Sequence, residues 1–497
     1  MARGGVAWAV LAAVGCVLAA LAAAAAATPQ APEAPRAEAP AVAEPPQAPA
    51  SGPLRVHPRN PRYFADADGR AVLLVGSHTW PSLVDMGPTD PPPTFDFDAY
   101  LAFCRRHGHN FIRLWTWEHT TWDTRGNREN RRHHCSPLPY ARTGPGEALD
   151  GKPRFDLATY DPEYFTRLRT RVEKAGRAGF YVSVMLFEGW AMQRSPGAWE
   201  SHPFHPKNNV NNINGDTDGD GNGLEVHELA DPKVTAVQEA YVRKVIDTVG
   251  DLDNVLYEIS NENHIESTKW QYHMIDFIHA YEKARPKQRP VGMTFQYKGG
   301  SNRALFDGPA DWVSPNPTSD LPKGVSYRDN PPPADGRKVV LSDTDHLWGI
   351  GGNVAWVWKS FTRGHNPIFM DPYDGAVLDQ RQADAWPAVR RAMGDALRYA
   401  RRVRLADMTP EGALASSGYG LAHAAANDAA YLVYLPNGGE VWVDLSRSPG
   451  RLAVEWFDPK TGKVQPAEAV EGGARRTFTP PFAGDAVLFL THGSRPQ

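Results

Sequence analysis

Cysteine is scarce, with three residues in 497. Cys16 lies in an N-terminal apolar run, which leaves only Cys104 and Cys135 for the rest of the chain. Two such residues exclude a disulfide scaffold and a cysteine-based zinc site. They permit one bridge in an oxidising compartment, and equally two separate thiols. Positive charge is short as well: 53 Lys and Arg stand against 57 Asp and Glu, a net charge of -4. That balance argues against a nucleic-acid partner and against a basic membrane-binding face. No Gly-rich phosphate fingerprint follows the first predicted strand, so a dinucleotide fold has no support. A His-x-His pair, expected there in a metal-dependent hydrolase barrel, is missing too.

Long apolar runs are absent except at the start. Arg3 precedes an Ala/Val/Leu run over 6–27, which Thr28 and Pro29 break. A positive start, an apolar middle and small residues near the end predict a signal peptide, 1–27, and export to the periplasm or beyond. The run is long for a signal core; left uncleaved, it would anchor the chain in a membrane. Residues 28–53 are mostly Pro and Ala with few large apolar side chains, which predicts an extended linker.

What is there from Leu54 onward is an alternation. Short apolar runs at 71–80, 110–119, 180–190, 254–262, 289–296, 311–317, 338–349 and 366–373 each read as a strand. Helical spacing lies between most of them, as in 161–179, where Phe165, Leu168 and Val172 share a face and Gly179 ends it. The link between strands six and seven is Pro/Gly-rich and carries no helical pattern. Eight strand-then-helix units predict a (β/α)8 TIM barrel over 54–408. From 409 to 497 short alternating runs break at turn signals such as Asn437-Gly438-Gly439, which predicts a small β-sandwich.

A TIM barrel works at the C-terminal ends of its strands, and those ends hold acids, amides and tryptophans. Trp faces suit the C–H surfaces of sugars, and amides, Arg and acids suit their hydroxyls. Glycoside hydrolysis needs two carboxyls flanking the scissile bond, one protonated and one ionised. Strand four supplies Glu262 in "YEISNENH", and strand seven supplies Asp345 in "LSDTDH", with Asp343 as the alternative. Burial among Trp residues would raise one of them, as a general acid requires. His78, Arg113, Trp117, Glu118, Trp190, Asn261, Asn316, His346, Trp348, Asp371 and Tyr373 are the expected substrate contacts. No organic cofactor is implied.

"EISNEN" on strand four, with an acid on strand seven and Arg113 ending strand two, resembles the clan A glycoside hydrolases. "LLVGSHTWPSL", "NFIRLWTWEH" and "GHNPIFMDPY" are similar to the apiosidase-like barrel glycosidases, related to the cellulase-like group. "WFDPKTG" and "PPFAGDAVLFL" resemble the collagen-binding-type domain that follows that barrel, although no residue here points to collagen. The resemblance covers about 55–492 and implies Glu262 as acid/base and a retaining mechanism. It departs at strand seven, where the clan has Glu and this chain has Asp. The shorter arm widens the carboxyl separation, and retention wants about 5–5.5 Å against about 6.5–9.5 Å for inversion.

One motif stands apart. In "NGDTDGDGNGLEVHEL", Asp216, Asp218 and Asp220 before Gly221 match the first half of a calcium loop, while position twelve is His227 instead of Glu. A structural calcium near the cleft rim is one expectation, and an Asn/Asp/Gly turn the other. "RRHHC" (131–135) reads as a solvated basic loop. The whole predicts an exported glycosidase acting on a plant or microbial polysaccharide. Its rival is a non-catalytic glycan- or matrix-binding protein on a degenerate barrel, and the sandwich is expected to brace the barrel.

Overall fold

The computed structural model describes residues 48–123, 132–373 and 386–493. The expected leader and residues 28–47 of the linker lie outside that range. No helix among the described residues is long and apolar enough to cross a membrane.

Eight parallel strands close into a barrel: β1 Gly76–His78, β2 Phe111–Leu114, β3 Tyr181–Glu188, β4 Val255–Asn261, β5 Val291–Thr294, β6 Trp312–Ser314, β7 Val339–Asp343 and β8 Asn366–Met370. They pair in chain order, with β8 closing on β1. All are buried on both faces, which is why they read as apolar runs instead of alternating ones. Helices α1 Phe97–Arg106, α2 Pro162–Arg177, α4 Pro232–Val249 and α5 Thr268–Glu282 cover the first half, with the short α3 Trp190–Arg194 at the end of β3. Asp96, Asp161 and Asp231 cap α1, α2 and α4, each accepting a backbone N–H of the first turn. The second half holds α6 Asn302–Asp307, α7 Thr344–Leu347, α8 Val354–Thr362 and α9 Trp386–Ala400. No helix joins β6 to β7, as the Pro/Gly-rich link predicts.

Period-two alternation sets the barrel's interior. Phe111, Tyr181, Leu256, Trp312, Leu341 and Ile368 form an apolar layer at the strands' early ends. Leu54 and Phe64, the latter from a small antiparallel sheet over 55–72, complete that layer from below. Two residues further along three of these strands come Arg113, Glu258 and Asp343, all buried. Thus apolar side chains fill the base and an ionic layer lies over it.

Several local expectations change. The run 71–80 is not one strand: Ala71–Val72 belongs to the small antiparallel sheet, and only Gly76–His78 enters the barrel. The linker joins the fold before Leu54, since Ala50 donates to the Gly176 carbonyl at 2.9 Å and Ser51 accepts the Tyr181 hydroxyl at 2.7 Å. "RRHHC" is no solvated loop. Arg132–Ser136 is a strand between Thr121–Asp123 and Asp85–Gly87, with His133 and Cys135 buried. Cys104 and Cys135 are both free thiols, so neither makes a bridge.

After α9 comes an antiparallel domain. Its main sheet holds β9 Thr409–Pro410, β10 Gly420–His423, β11 Ala430–Leu435, β13 Arg451–Phe457, β14 Val464–Glu471 and β16 Ala486–His492; β12 Val441–Asp444 pairs with β15 Arg475–Phe478 as a second layer. One face of the main sheet, with Val433, Leu452 and Leu488, packs on Val441 and Val443. The other face, with Tyr434, Phe457 and Phe489, packs on α8 and α9 and shares the barrel's core.

Candidate active site

Arg113 is the hub. Its guanidinium grips Glu258 with two bonds, Nε–Oε2 at 2.7 Å and Nη2–Oε1 at 2.5 Å, and donates to Asn261 Oδ1 at 2.6 Å. Its Nη1 reaches Asp343 at 3.4 Å and Asp345 at 3.3 Å. The planar fork explains why Arg sits here: one group holds carboxylates from β4 and β7 at fixed angles. The indole of Trp115 lies 4.9 Å from the guanidinium carbon, and His78 stacks on the same indole.

The two aspartates differ in how they are held. Asp343 ends β7 and caps α7, accepting the Asp345 N–H at 3.0 Å and a bond from His78 Nε2 at 3.1 Å. Burial alone would raise Asp343, but His78 and Arg113 outweigh it and hold the carboxyl below the usual range. Asp345, in the first turn of α7, has Arg113 on one oxygen and is 8% exposed. Burial pushes it up to about 6, against the pull of His78 and Arg113. Asp343 is therefore the anchored ion, and Asp345, at 8% against 3% exposure, the less enclosed of the two.

Glu262 follows β4 and is 7% exposed. Its backbone sits at φ 42°, in the region that favours glycine. Thr294 Oγ1 accepts its N–H at 3.1 Å, and Gln193 Nε2 donates to its carbonyl at 2.9 Å. Gly189 makes room for this turn, because a Cβ there would stand 2.3 Å from the Asn263 side chain. Among the described residues, nothing donates to the Glu262 carboxyl. Burial, then the charges of Asp345 and Glu188, push it well above the ordinary range. Glu262 and Asp345 are therefore electrostatic neighbours.

Other expected contacts fall into two groups. His78, Arg113, Asn261 and His346 cluster with the acids. His346 Nε2 is 3.2 Å from Asn261 Oδ1 while its Nδ1 pairs with Ser314, and burial lowers it to about 3, so it is neutral. Asn261 gives its oxygen to Arg113 and its amide side faces Glu188, so its hydrogen bonds are already taken by protein. Trp190 and Trp348 are half-buried, the latter under Arg328 and edge-on to Trp356.

The second group is placed elsewhere. Trp117 is 0% exposed and donates its indole N–H to the Trp80 carbonyl, inside a cluster with Trp80, Trp115 and Trp122. Glu118 is clamped by His227 at 3.0 Å and His202 at 3.6 Å and accepts the Glu188 N–H. Burial would raise it, yet the two histidines hold it below the usual range. Asp371 pairs with Arg390 on α9 through both oxygens. Tyr373 lies edge-on to Tyr100 and Phe103. Asn316 caps its own turn, accepting from Thr318 and Ser319 and donating to the Gly300 carbonyl. For Trp117, Glu118, Asp371 and Asn316 the polar atoms described here already have protein partners.

Glu258 and Glu188 were not among the expected contacts. Glu258 could have been found by parity, since it shares Leu256's inward face on β4. Glu188 ends β3 and accepts the N–H groups of Trp190 and Ala191, while burial raises it to about 8. In the acidic loop, Asp216, Asp218 and Asp220 are joined by Glu225, their oxygens within 4.8 Å of one another. Asp216, Asp218 and Asp220 also accept N–H groups of their own loop, an arrangement an Asx turn reaches without an ion.

A family model described as "Domain of unknown function (DUF6298)" matches 134–298, the part that contains β3, β4 and Glu262. A second, "Putative collagen-binding domain of a collagenase", matches 415–491 in the C-terminal domain. No curated protein matches the sequence. Among solved structures, a glycoside hydrolase family 5 from Bacteroides vulgatus ATCC 8482 superposes with a TM-score of 0.57 at 14% identity, covering 89% of this chain and 95% of that one. Another, titled "Glycoside hydrolase", gives 0.54 at 13%, covering 90% and 98%. At this identity the likeness is one of fold: a (β/α)8 barrel like those of these solved structures, followed by an antiparallel β domain that the second family model matches.

Proposed function

We propose that the protein is an exported glycoside hydrolase cleaving a plant or microbial polysaccharide, with Glu262 and Asp345 as its two carboxyls and retention at the anomeric carbon. The observation that carries this reading is the pairing of two neighbouring buried acids, one raised well above the ordinary range and the other to about 6. Glu262, raised well above the ordinary range by burial and by Asp345, is the proton donor of the pair. Asp345, pushed up to about 6, is the ionised partner near neutral pH. That is the division of labour a two-carboxyl glycosidase needs.

In the first step Asp345 bonds the anomeric carbon while the C–O bond breaks and Glu262 protonates the departing oxygen. In the second, water gives a proton to Glu262 as its oxygen displaces Asp345. Arg113 and Asp343 hold Asp345 in place, and His78 keeps Asp343 ionised. Retention rests on the clan A resemblance, and export on the apolar run 6–27.

The test is release of sugar from a panel of polysaccharides, with Glu262→Gln and Asp345→Asn as controls. Each substitution should lower turnover by roughly a thousandfold or more while binding persists. NMR of the first-formed product should show the substrate's own anomer; the opposite anomer overturns retention. Binding without release by wild type from every substrate would make the protein a glycan binder.

A further inference from the structure

Beside the Glu262 turn stand two cations, Arg194 and Lys298, that no carboxylate balances among the described residues. Helix α3, "WAMQR", contributes Trp190 and Arg194, and Gln193 ties that helix to the Glu262 carbonyl at 2.9 Å. The loop after β5 contributes Tyr297 and Lys298, and its Tyr297 N–H donates to the Asn263 carbonyl at 2.9 Å. Both elements are thus fastened to the turn that presents the acid. Trp190 and Tyr297 meet edge to face at 6.3 Å. The Arg194 guanidinium carbon lies 5.9 Å from the Tyr297 ring centre and Lys298 Nζ 5.7 Å from it.

Arg194 and Lys298 are exposed, and among the described residues neither has a carboxylate within 4.0 Å. Neither α3 nor the segment 295–300, "FQYKGG", contains an acid. Two unpaired cations on one aromatic ring, next to the group that protonates the departing oxygen, face whatever sugar leaves. A neutral sugar would use the two aromatic faces and leave both charges idle. An anionic sugar would use all four side chains.

We infer that Trp190, Arg194, Tyr297 and Lys298 form a leaving-group subsite for a sugar bearing a carboxylate or a sulfate. This deepens the glycosidase reading by naming the charge class of its substrate. The cations also offset the negative field of the catalytic acids, which would otherwise repel such a sugar.

The experiment is calorimetric binding of the full protein to matched oligosaccharides in neutral, uronate and sulfated form, beside a turnover assay on the same set. Wild type should prefer at least one anionic form by about tenfold, and the preference should shrink with added NaCl because exposed charges are screened. In Arg194→Gln/Lys298→Gln the acidic-to-neutral affinity ratio should fall toward one. Lys460→Gln, on an exposed turn of the C-terminal domain, should leave it unchanged. Preference for uronate alone or sulfate alone identifies the anion. Equal binding of neutral and anionic forms, or a double variant that keeps the full ratio, overturns the subsite. Anion-selective binding with no turnover of any substrate leaves the subsite standing and sinks the glycosidase reading.

Discussion

Glu262 pays twice for its position, in backbone strain at φ 42° and in burial of an acid. Relief of the second cost is measurable. Folded Glu262 and Asp345 titrate above their unfolded values, so the native state binds more protons and its stability falls as pH rises from about 4 through the folded pKa. Glu262→Gln and Asp345→Asn should therefore stabilise the protein at pH 7, by about 1–3 kcal/mol in urea unfolding, while abolishing turnover. Asp343 has the opposite sign. Its folded pKa is depressed, so its stabilisation is present above the unfolded value and lost on acidification; Asp343→Asn should destabilise at pH 7 by about 1–3 kcal/mol. If all three shift stability alike, the assignment of Asp343 as anchor and Asp345 as reactive group fails. The pH–rate profile follows from the same states. An acid limb near 6 should report ionisation of Asp345, and an alkaline limb well above the ordinary glutamate range should report Glu262.

The barrel strands act in layers, and the ionic layer makes its own prediction. Glu258 neutralises most of the Arg113 charge that Asp345 otherwise feels. Glu258→Gln should leave Arg113 more strongly positive, lower the Asp345 pKa and move the acid limb below its wild-type position. The lost bidentate pair should cost about 1–3 kcal/mol, since Arg113 keeps Asp343, Asp345 and Asn261. A variant that loses stability with an unmoved acid limb would mean that Glu258 only fills the barrel. The same layering shows what the sequence could disclose. Strands buried on both faces stand out as apolar runs between turn signals, so β2 to β8 were legible in order. So were Glu262 and the acidic end of β7, because strand ends declare themselves. Glu258 was hidden because a single acid inside an apolar run looks like a defect until its parity with Leu256 is noticed. The strand Arg132–Ser136 was hidden because its partners, Asp85–Gly87 and Thr121–Asp123, lie outside its own stretch of sequence, and His133 and Cys135 are buried beside them. The protein partners of Glu118, Asp371 and Asn316 were hidden for a related reason: strand-end polar groups serve loops as readily as ligands, and His227, Arg390 and Gly300 are remote or unmarked in sequence.

At the scale of the molecule the C-terminal domain is less a module than a wall. Trp358 of α8 stacks on Tyr434 at 6.4 Å and meets Phe457 at 5.6 Å, while Tyr399 of α9 meets Phe457 and Phe489. Arg402 pairs with Glu455 through both nitrogens, and the Tyr399 hydroxyl donates to the same carboxylate. A chain ending before Thr409 would bare this aromatic face, and should aggregate or unfold without a cooperative transition. Trp358→Ala should cost about 3–5 kcal/mol in the intact protein, read by calorimetry as a single transition moved to lower temperature. A truncated barrel with the full protein's Tm would show that the domain is separable after all.

Ala50 and Ser51 attach to the barrel beside Gly176 and Tyr181, where β3 begins, whereas Glu262 and Asp345 lie past the ends of β4 and β7. The described chain therefore enters at one pole, and the proposed catalytic pair lies at the other. A hold taken on the barrel at Ala50 and Ser51 would leave the proposed catalytic pair on the far side from it. A bulky polymer could then approach without threading past its own attachment.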